Sequence, residues 1–176
     1  MSEGIIVRPV SATELPARPV EVTATAAERE RLAAAYDLIA VTSLTATVAL
    51  DPAGGGGITV SGHILADIVQ TCVVSLVPVP EHMDETFSVR FVRSAAQLRP
   101  LGAEIVVDAE AEDPPELLEG PTIDVGALVE EYFALAINPY PRAPGAELPA
   151  EARDDAGGTS PFAALAGLAK PQKRGG

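Results

Sequence analysis

The longest strand-like pattern in the chain covers residues 57–79. Over most of this run the even-numbered positions are apolar and the odd-numbered positions are polar. The apolar set is Ile58, Val60, Ile64, Ala66, Ile68 and Cys72, and the polar set is Thr59, Ser61, His63, Asp67 and Thr71. A period of two predicts a β-strand with one face on a core and the other in water.

Two shorter runs alternate in the same way and predict the neighbours of this strand in a sheet. Residues 43–50 lie before a four-glycine loop, so we expect them to pair with the long strand as a hairpin. Residues 86–93 have Phe87, Val89 and Phe91 at alternate positions. Residues 78–84, which include two prolines, are interpreted as the turn before that third strand.

Shorter stretches predict two more strands and a linker. Residues 5–10 are expected to form an edge strand, where a proline is tolerated. Residues 103–108 predict a further strand. Residues 110–121 form an acidic linker in which two adjacent prolines exclude regular helix.

The first helix is predicted from about residue 26 to residue 37. Thr25 and Glu28 have the spacing of a capping box, which marks the start of a helix. The buried stripe of this helix is expected to be Leu32, Tyr36 and Ile39.

The second helix is predicted to begin after Asp124, whose side chain can cap it, and to end before Pro139. Its apolar positions recur at helical spacing and are Val125, Leu128, Val129, Tyr132, Leu135 and Ala136. Glu130 and Glu131 are expected on its outer face.

These elements predict an α+β fold, with an antiparallel β-rich sheet or partial barrel of about four to six strands and two helices. We expect an acidic domain over residues 1–140 and a disordered tail over residues 141–176. The tail is rich in Gly, Pro, Ala and acidic residues up to Ser160, a composition that buries little apolar area. Residues 160–170 form a short apolar segment that either folds on a partner or docks back on the domain.

The net charge of −13 is unevenly distributed. Residues 1–140 carry 7 basic and 21 acidic side chains, whereas residues 141–176 carry 5 and 4. An acidic domain repels a phosphate backbone, so we expect its body to bind neither DNA nor RNA directly, and a basic protein partner is favoured. Only the extreme C-terminus, with Lys170, Lys173 and Arg174, is locally basic.

The sequence has no feature typical of export or membrane insertion. Residues 1–10 lack a basic region followed by an apolar stretch, and no apolar run approaches the ~20 residues that span a bilayer. The single cysteine excludes an intrachain disulfide. We therefore expect a cytoplasmic protein that does not bind membranes.

No arrangement of residues predicts catalysis. His63 is expected to be an isolated imidazole on the polar face of the long strand, because Asp67 is ~13 Å further along an extended chain. His82 is expected in the turn. These two histidines and Cys72 do not supply the three or four closely spaced ligands that zinc needs. We predict no cofactor and no enzymatic activity.

Gln70 and Cys72 share the inward phase of the long strand. Cys72 is interpreted as a small buried apolar residue and not as a reactive thiol. Gln70 is expected to hydrogen-bond the backbone near the strand end, because a buried amide without a partner is costly.

Four motifs, in this order, resemble the YceD family, the large ribosomal RNA subunit accumulation proteins of bacteria and plastids. They are residues 60–72 (VSGHILADIVQTC), 123–131 (IDVGALVEE), 135–142 (LAINPYPR) and 160–165 (SPFAAL). The resemblance is greatest to the alphaproteobacterial branch. It implies a non-enzymatic factor needed for 23S rRNA synthesis or processing, linked to large-subunit assembly and, by gene neighbourhood, to a ribosomal protein of that subunit.

The chain departs from the family pattern at its cysteines. Where many members have Cys-x-x-Cys, this chain has Cys72-Val-Val-Ser75, and the second cysteine cluster that some members carry near residues 140–145 is missing. A metal role suggested for those members is therefore not expected here. The motif residues to which we assign structural roles are Gly62, Gln70, Cys72, Asp124, Glu131 and Pro139.

The leading functional hypothesis is an acidic adaptor that binds a ribosomal protein or a pre-50S particle. Its partner contacts are expected from Tyr140, Arg142, Phe162, Leu165 and Lys170. One alternative is direct binding of precursor 23S rRNA by the basic tail. Another is a metal-dependent nuclease that uses the seven acidic residues from Asp108 to Asp124, although their spacing matches no EF-hand loop.

Overall fold

The computed structural model describes residues 4–98 and 114–147. Within these ranges the chain forms β1 (Pro9–Ser11), β2 (Val20–Thr23), α1 (Ala26–Ala35), β3 (Ala40–Ala53), β4 (Gly57–Thr71), β5 (Pro78–Val92), β6 (Glu116–Leu117), β7 (Thr122–Asp124) and α2 (Val125–Ala136). Single turns of 3-10 helix follow β3 and β5. The predicted α+β class, with an antiparallel-rich sheet and two helices, is confirmed.

β4 is the centre of a five-stranded sheet whose strand order is β2-β3-β4-β5-β6. It pairs antiparallel with β3 on one side and with β5 on the other, and β6 joins β5 in parallel. The predicted hairpin of β3 and β4 is confirmed. Its loop contains Gly55 and Gly56 at φ values of 71° and 75°, where a residue with a side chain would be strained. β1 and β7 form a separate antiparallel pair.

The alternation that predicts β4 is confirmed by its burial pattern. Its even-numbered residues are buried, whereas His63 and Asp67 are exposed. Gly62 lies on the buried face beside Phe87 of β5, and Phe87 stacks on Tyr132 of α2 with ring centroids 4.5 Å apart. The inner face of the sheet therefore packs against α2, and α1 packs against β3.

The predicted turn at residues 78–84 is wrong, because these residues begin β5. The turn is formed by residues 72–77 instead, so the long strand ends at Thr71. Pro78 and Pro80 are tolerated in β5 because β6 covers only the far end of this strand in the described part of the chain. A proline on an unpaired edge deprives no neighbouring strand of a hydrogen bond.

The capping box at the start of α1 is confirmed. Thr25 Oγ1 accepts a hydrogen bond from the Glu28 N–H, and Glu28 Oε2 accepts one from the Thr25 N–H. Leu32 is fully buried as predicted, but the prediction for Ile39 is wrong, since its side chain is 51% exposed. The helix ends before Asp37, whose φ of 53° breaks the helical geometry, so Ile39 falls outside the helical phase.

α2 begins as predicted, with Asp124 Oδ1 accepting hydrogen bonds from two backbone N–H groups of the first turn. Its buried stripe differs from the prediction. Leu135 is 73% exposed, and Phe133, which the predicted stripe omits, is fully buried. Tyr36 of α1 packs edge-on against Phe133, with ring centroids 6.0 Å apart, so the buried side of α2 extends toward α1.

Two carboxylates of the α2 region bind the N-terminal segment. The prediction that Glu130 lies on the outer face is wrong, because its Oε2 accepts hydrogen bonds from the N–H groups of Ile5 and its neighbour, at 2.6 and 3.1 Å. Asp124 Oδ1 also accepts one from the Arg8 N–H at 2.8 Å. The N–H groups of residues 5, 6 and 8 thus bind side chains and not a neighbouring strand. The edge strand predicted at residues 5–10 therefore starts only at Pro9.

Two predictions lie outside the described residues, namely the strand at 103–108 and the tail beyond residue 147. The acidic linker is described from residue 114, and this part contains the two-residue strand β6. Within the described ranges the longer helix, α2, has 12 residues, and no helix there is long and apolar enough to cross a membrane.

A methyl group at Gly62 should destabilise the fold. An ideal Cβ at this position would lie 2.2 Å from Phe87 Cε1, and Phe87 has little freedom to move because it stacks on Tyr132. We expect Gly62→Ala to lower the free energy of unfolding by about 1–3 kcal/mol, measured by urea denaturation. Gly54→Ala is the matched control, since a Cβ there meets no atom within 4 Å. An equal loss in both variants would contradict the packing explanation.

Glu28 should make stability depend on acid pH. Arg8 donates two hydrogen bonds to its carboxylate, at 2.9 and 3.1 Å, and with the contacts of Thr25 they lower the pKa of Glu28 to about 2. Because the folded-state pKa lies below the ordinary value, this stabilisation is present above about pH 4.5 and is lost as the pH falls toward 2. We expect Glu28→Gln to cost about 1–2 kcal/mol at pH 7 and little at pH 2.

Urea denaturation at both pH values measures this difference. Glu30→Gln is the control, because Glu30 is an exposed carboxylate on the same helix. If both variants respond alike to pH, the pair of Arg8 and Glu28 is not the source of the effect.

Candidate functional site

The outer face of the sheet carries exposed polar side chains of β3, β4 and β5. The prediction that His63 is isolated is wrong, because its Nε2 lies 2.6 Å from Asp84 Oδ1. His82, which was predicted in a turn, lies on β5 with its Nδ1 2.7 Å from Asp67 Oδ1. The antiparallel register places Asp67 opposite His82, and such a cross-strand pair is not visible from the spacing along one strand.

Ser43, Asp67 and His82 form a row across three strands, in an order that does not activate the serine. Ser43 Oγ donates to Asp67 Oδ2 at 2.7 Å, and His82 contacts the other oxygen of the same carboxylate. Ser43, followed by His82, lowers the pKa of Asp67. A nucleophilic serine needs the imidazole beside its own hydroxyl, and here the carboxylate separates the two.

The residues that the structure describes contain no group of three or more His, Cys, Asp or Glu side chains placed to hold a metal ion. The two His–Asp pairs of the outer face are therefore separate pairs. Of the seven acidic residues that the sequence offers for a metal site, four lie in residues 108–113, outside the described ranges.

Negative charge dominates the outer face of the sheet. Exposed carboxylates project from it at Glu21, Asp51, Asp67 and Asp84, and the exposed Arg90 of β5 lies on the same face, opposite Thr59. Three arginines are instead bound inside the domain: Arg8 pairs with Glu28, Arg29 donates to the Ala24 carbonyl, and Arg93 donates to the carbonyls of Gly56 and Ala12. These three arginines are thus paired with groups of the fold, whereas Arg18, Arg31 and Arg90 are exposed.

The turn between β4 and β5 presents a cluster of exposed apolar side chains. We call Val73, Leu76, Val77 and Tyr140 the turn patch; the two valines are about half-exposed, Leu76 is 75% exposed and Tyr140 is 73% exposed. The Val73 N–H donates to the carbonyl of Pro141 at 2.9 Å, and the Val77 carbonyl accepts from the Cys72 N–H at 2.9 Å. The turn and the segment after α2 therefore form one surface.

Leu76 has an unusual backbone conformation in addition to its exposure. Its φ of 60° lies in the left-handed region, which residues with a side chain seldom adopt. The left-handed conformation of a leucine costs roughly 1–2 kcal/mol of stability. Because the side chain of Leu76 is exposed, its burial does not offset this cost. Strain of this kind persists where the surrounding structure imposes it, and it often marks a functional segment. The turn patch is therefore a candidate partner-binding surface.

Cys72 holds the two halves of this surface together. Its sulfur accepts hydrogen bonds from the N–H groups of Ala143, Ser75 and Val74, at 3.3, 3.3 and 3.4 Å. The Ala143 N–H, followed by the contacts of Ser75, lowers the pKa of the thiol to about 6, although burial opposes this effect. Cys72 is fully buried as predicted, but it is a hydrogen-bond acceptor as well as an apolar residue.

The two regions in which the resemblance places further cysteines of other members meet at this sulfur. Ser75 stands at the position of the second thiol, and Ala143 lies within residues 140–145. In this chain both regions contribute backbone N–H donors to Cys72. One thiol with N–H donors does not fit zinc, which needs several thiolate or imidazole ligands.

Gln70 provides a second link between β4 and the segment after α2. It is 7% exposed, and its Nε2 donates to the Asn138 carbonyl at 2.9 Å, which confirms the predicted backbone hydrogen bond. Asn138 Oδ1 in turn accepts from the Tyr140 N–H at 3.0 Å. The position of Tyr140 is thus set by the buried end of β4.

The predicted contact residues fall into two groups. Tyr140 and Arg142 are exposed in the segment that joins the turn patch, whereas Phe162, Leu165 and Lys170 lie outside the described residues. Their role in partner binding stays a prediction. Of the motif residues, Asp124 caps α2, Glu131 is exposed on α2, and Pro139 follows the end of that helix.

Three members of the turn patch, Val73, Leu76 and Val77, are not among the predicted contact residues. A signal was available, because residues 73–77 lose the alternation of β4 and place apolar residues directly before Pro78. The predicted strand extends to residue 79, so these residues are assigned to the strand and not to a turn.

The model of the family with the description "Large ribosomal RNA subunit accumulation protein YceD" matches residues 60–169. The matched range begins within β4, includes the turn patch and α2, and extends through most of the apolar segment at 160–170. No curated protein and no solved structure matches the chain.

The thiol of Cys72 should ionise at an unusually low pH. Because the pKa in the fold, about 6, lies below the ordinary value near 8.5, the contribution of Cys72 to stability is fully present above pH 8.5 and is lost as the pH falls through 6. We expect the thiolate absorbance near 240 nm to appear around pH 6, and the urea midpoint of the wild type relative to Cys72→Ala to rise between pH 6 and 8.5.

The Cys72→Ala variant supplies the absorbance baseline, since the chain has no other cysteine. Thiolate absorbance that appears only above pH 8.5 would contradict the proposed effect of the three N–H donors.

Proposed function

Because the chain belongs to the YceD family of large ribosomal RNA subunit accumulation proteins, we propose that it is a non-enzymatic factor in 23S rRNA accumulation and large-subunit biogenesis. The family name itself implies a role in the accumulation of large-subunit rRNA. We propose further that the protein acts in the cytoplasm as an acidic adaptor for a basic ribosomal protein, either free or on a pre-50S particle.

The distribution of charge carries the adaptor proposal. Residues 1–140 have 21 acidic and 7 basic side chains, and several of those arginines bind groups within the domain. Complementary charge steers association and selects partners of opposite sign. The exposed carboxylates Glu21, Asp51 and Asp84 project from one face of the sheet, so a Lys- or Arg-rich protein surface is the partner of matching chemistry.

Direct binding of precursor 23S rRNA by the tail is the second candidate. The observation that favours it is the cluster of Lys170, Lys173 and Arg174 at the end of an otherwise acidic chain. Three cations release few counterions, so the affinity of the tail alone would be modest and strongly salt-dependent.

The geometry of the outer face supports a non-enzymatic role. The one hydroxyl in the row of Ser43, Asp67 and His82 donates to the carboxylate, and the imidazole does not contact it. A metal-dependent nuclease, which the acidic linker suggested, remains the less favoured alternative. Metal-dependent cleavage of precursor 23S rRNA by the purified protein would revive it.

Sedimentation of a tagged protein tests the adaptor proposal. We expect the full chain to sediment with pre-50S fractions at low salt and its deletion to lower 23S rRNA levels. The variant Glu21→Gln/Asp51→Asn/Asp84→Asn should weaken this association about tenfold, because three exposed charge contacts contribute roughly 0.5 kcal/mol each. Absence from every pre-50S fraction, with normal 23S rRNA after deletion, would reject the proposal.

The control is the tail variant Lys170→Gln/Lys173→Gln/Arg174→Gln, which also removes three charges. The adaptor proposal predicts little change for this variant. Loss of association in the tail variant, with wild-type binding by the sheet variant, would favour direct rRNA binding instead. In that case truncation after Gly145 should abolish RNA affinity together with its salt dependence.

A further inference from the structure

The turn patch is an apolar surface whose exposed side chains come from two segments fixed together at Cys72. Its most exposed member, Leu76, is held at a φ of 60° with its side chain in water. A surface with this composition is typical of an interaction site. We propose that the turn patch is the docking surface for the chain's own residues 160–170.

The described part of the chain ends close to the patch. The Ala143 N–H binds the sulfur of Cys72, so the chain passes the turn shortly before residue 147, where the described range ends. Residues 148–160 separate this point from the apolar segment. A random coil of that length spans about 20 Å on average, which is enough to return to the patch.

The apolar segment has the chemistry of a docking element. Phe162, Leu165 and Leu168 recur every three residues, and this spacing places them on one face of a helix. Ser160 and Pro161 are suited to the first positions of such a helix. A helix of about ten residues is marginal in water on its own, so it needs an apolar surface to pack against.

The charge of the segment that follows the apolar residues is opposite in sign to that of residues 1–140. Lys170, Lys173 and Arg174 follow directly after the apolar residues, whereas residues 1–140 carry an excess of 14 acidic side chains, 21 against 7.

The tether gives this occupant an advantage over a second copy or a separate protein. A segment joined by a short linker has an effective concentration on the order of millimolar. A separate molecule must offset the loss of translational and rotational freedom on binding. This inference concerns the isolated chain, so it holds or fails independently of the ribosomal partner.

Amide NMR spectra of the full chain test the proposal. The variant Phe162→Ser/Leu165→Ser should shift the amide resonances of Val73, Leu76, Val77 and Tyr140, while amides in the middle of β4 stay unchanged. The reciprocal variant Leu76→Asn should shift the amides of residues 162–168, because coupling between two sites acts in both directions. Asn tolerates the left-handed conformation, so this variant keeps the turn.

Leu65→Asn is the matched control, since Leu65 is an exposed leucine on the outer face of the sheet. It should leave the tail amides unchanged. In the Leu76→Asn background, the tail variant should cause no additional shift at Val73 or Val77. Patch resonances that do not respond to the tail variant would overturn the proposal. A second result would also overturn it. If the patch resonances of the wild type move to those of the tail variant on dilution, the patch is occupied by a second copy of the chain.

Discussion

The central constraint on this fold is that β4 is hydrogen-bonded to a neighbour on both sides along nearly all of its length. The two-residue period then assigns every side chain to one face, and a shift of one residue would exchange the faces. The apolar face must be covered, and α2 covers it through the stack of Phe87 on Tyr132 beside Gly62. The segment after α2 is attached to the same strand by Gln70 and Cys72, so the position of the turn patch also depends on β4.

Carboxylates have two distinct roles in this acidic domain. Asp124, Glu130 and Glu28 stabilise the fold itself. Asp124 and Glu130 accept hydrogen bonds from backbone N–H groups of the N-terminal segment, and Glu28 pairs with Arg8. The carboxylates of the outer face bind only exposed groups such as the imidazoles of His63 and His82, and they remain accessible to a partner. The net charge therefore overstates the number of acidic groups that a basic protein could contact.

The sequence predicts the parts of the fold that depend on local pattern, and it fails where a distant segment decides the outcome. Alternation identifies the faces of β4, and Thr25 and Asp124 mark both helix starts. The prolines at 78 and 80 indicate a turn, yet their tolerance in β5 is a property of the sheet edge. Glu130 has the pattern of a solvent-facing residue, but its partner is the Ile5 N–H, 125 residues earlier. The turn patch also combines two separate segments, so its extent is not visible in either one alone. The loss of alternation at residues 73–77 marks the turn in the sequence, but not that Tyr140 lies beside it.

The attachment of the N-terminal segment to α2 has a consequence for the order in which the chain folds. β3, β4 and β5 follow one another and are joined by short turns, so most of the sheet can form from local contacts. β1 cannot pair until β7 has been synthesised, because Pro9 pairs with Asp124. Bringing these two distant strands together closes a long loop, which has an entropic cost. β1 is therefore synthesised before the sheet but is fixed in place after it. Until α2 has formed, a newly made chain keeps the apolar side of its sheet open to other proteins.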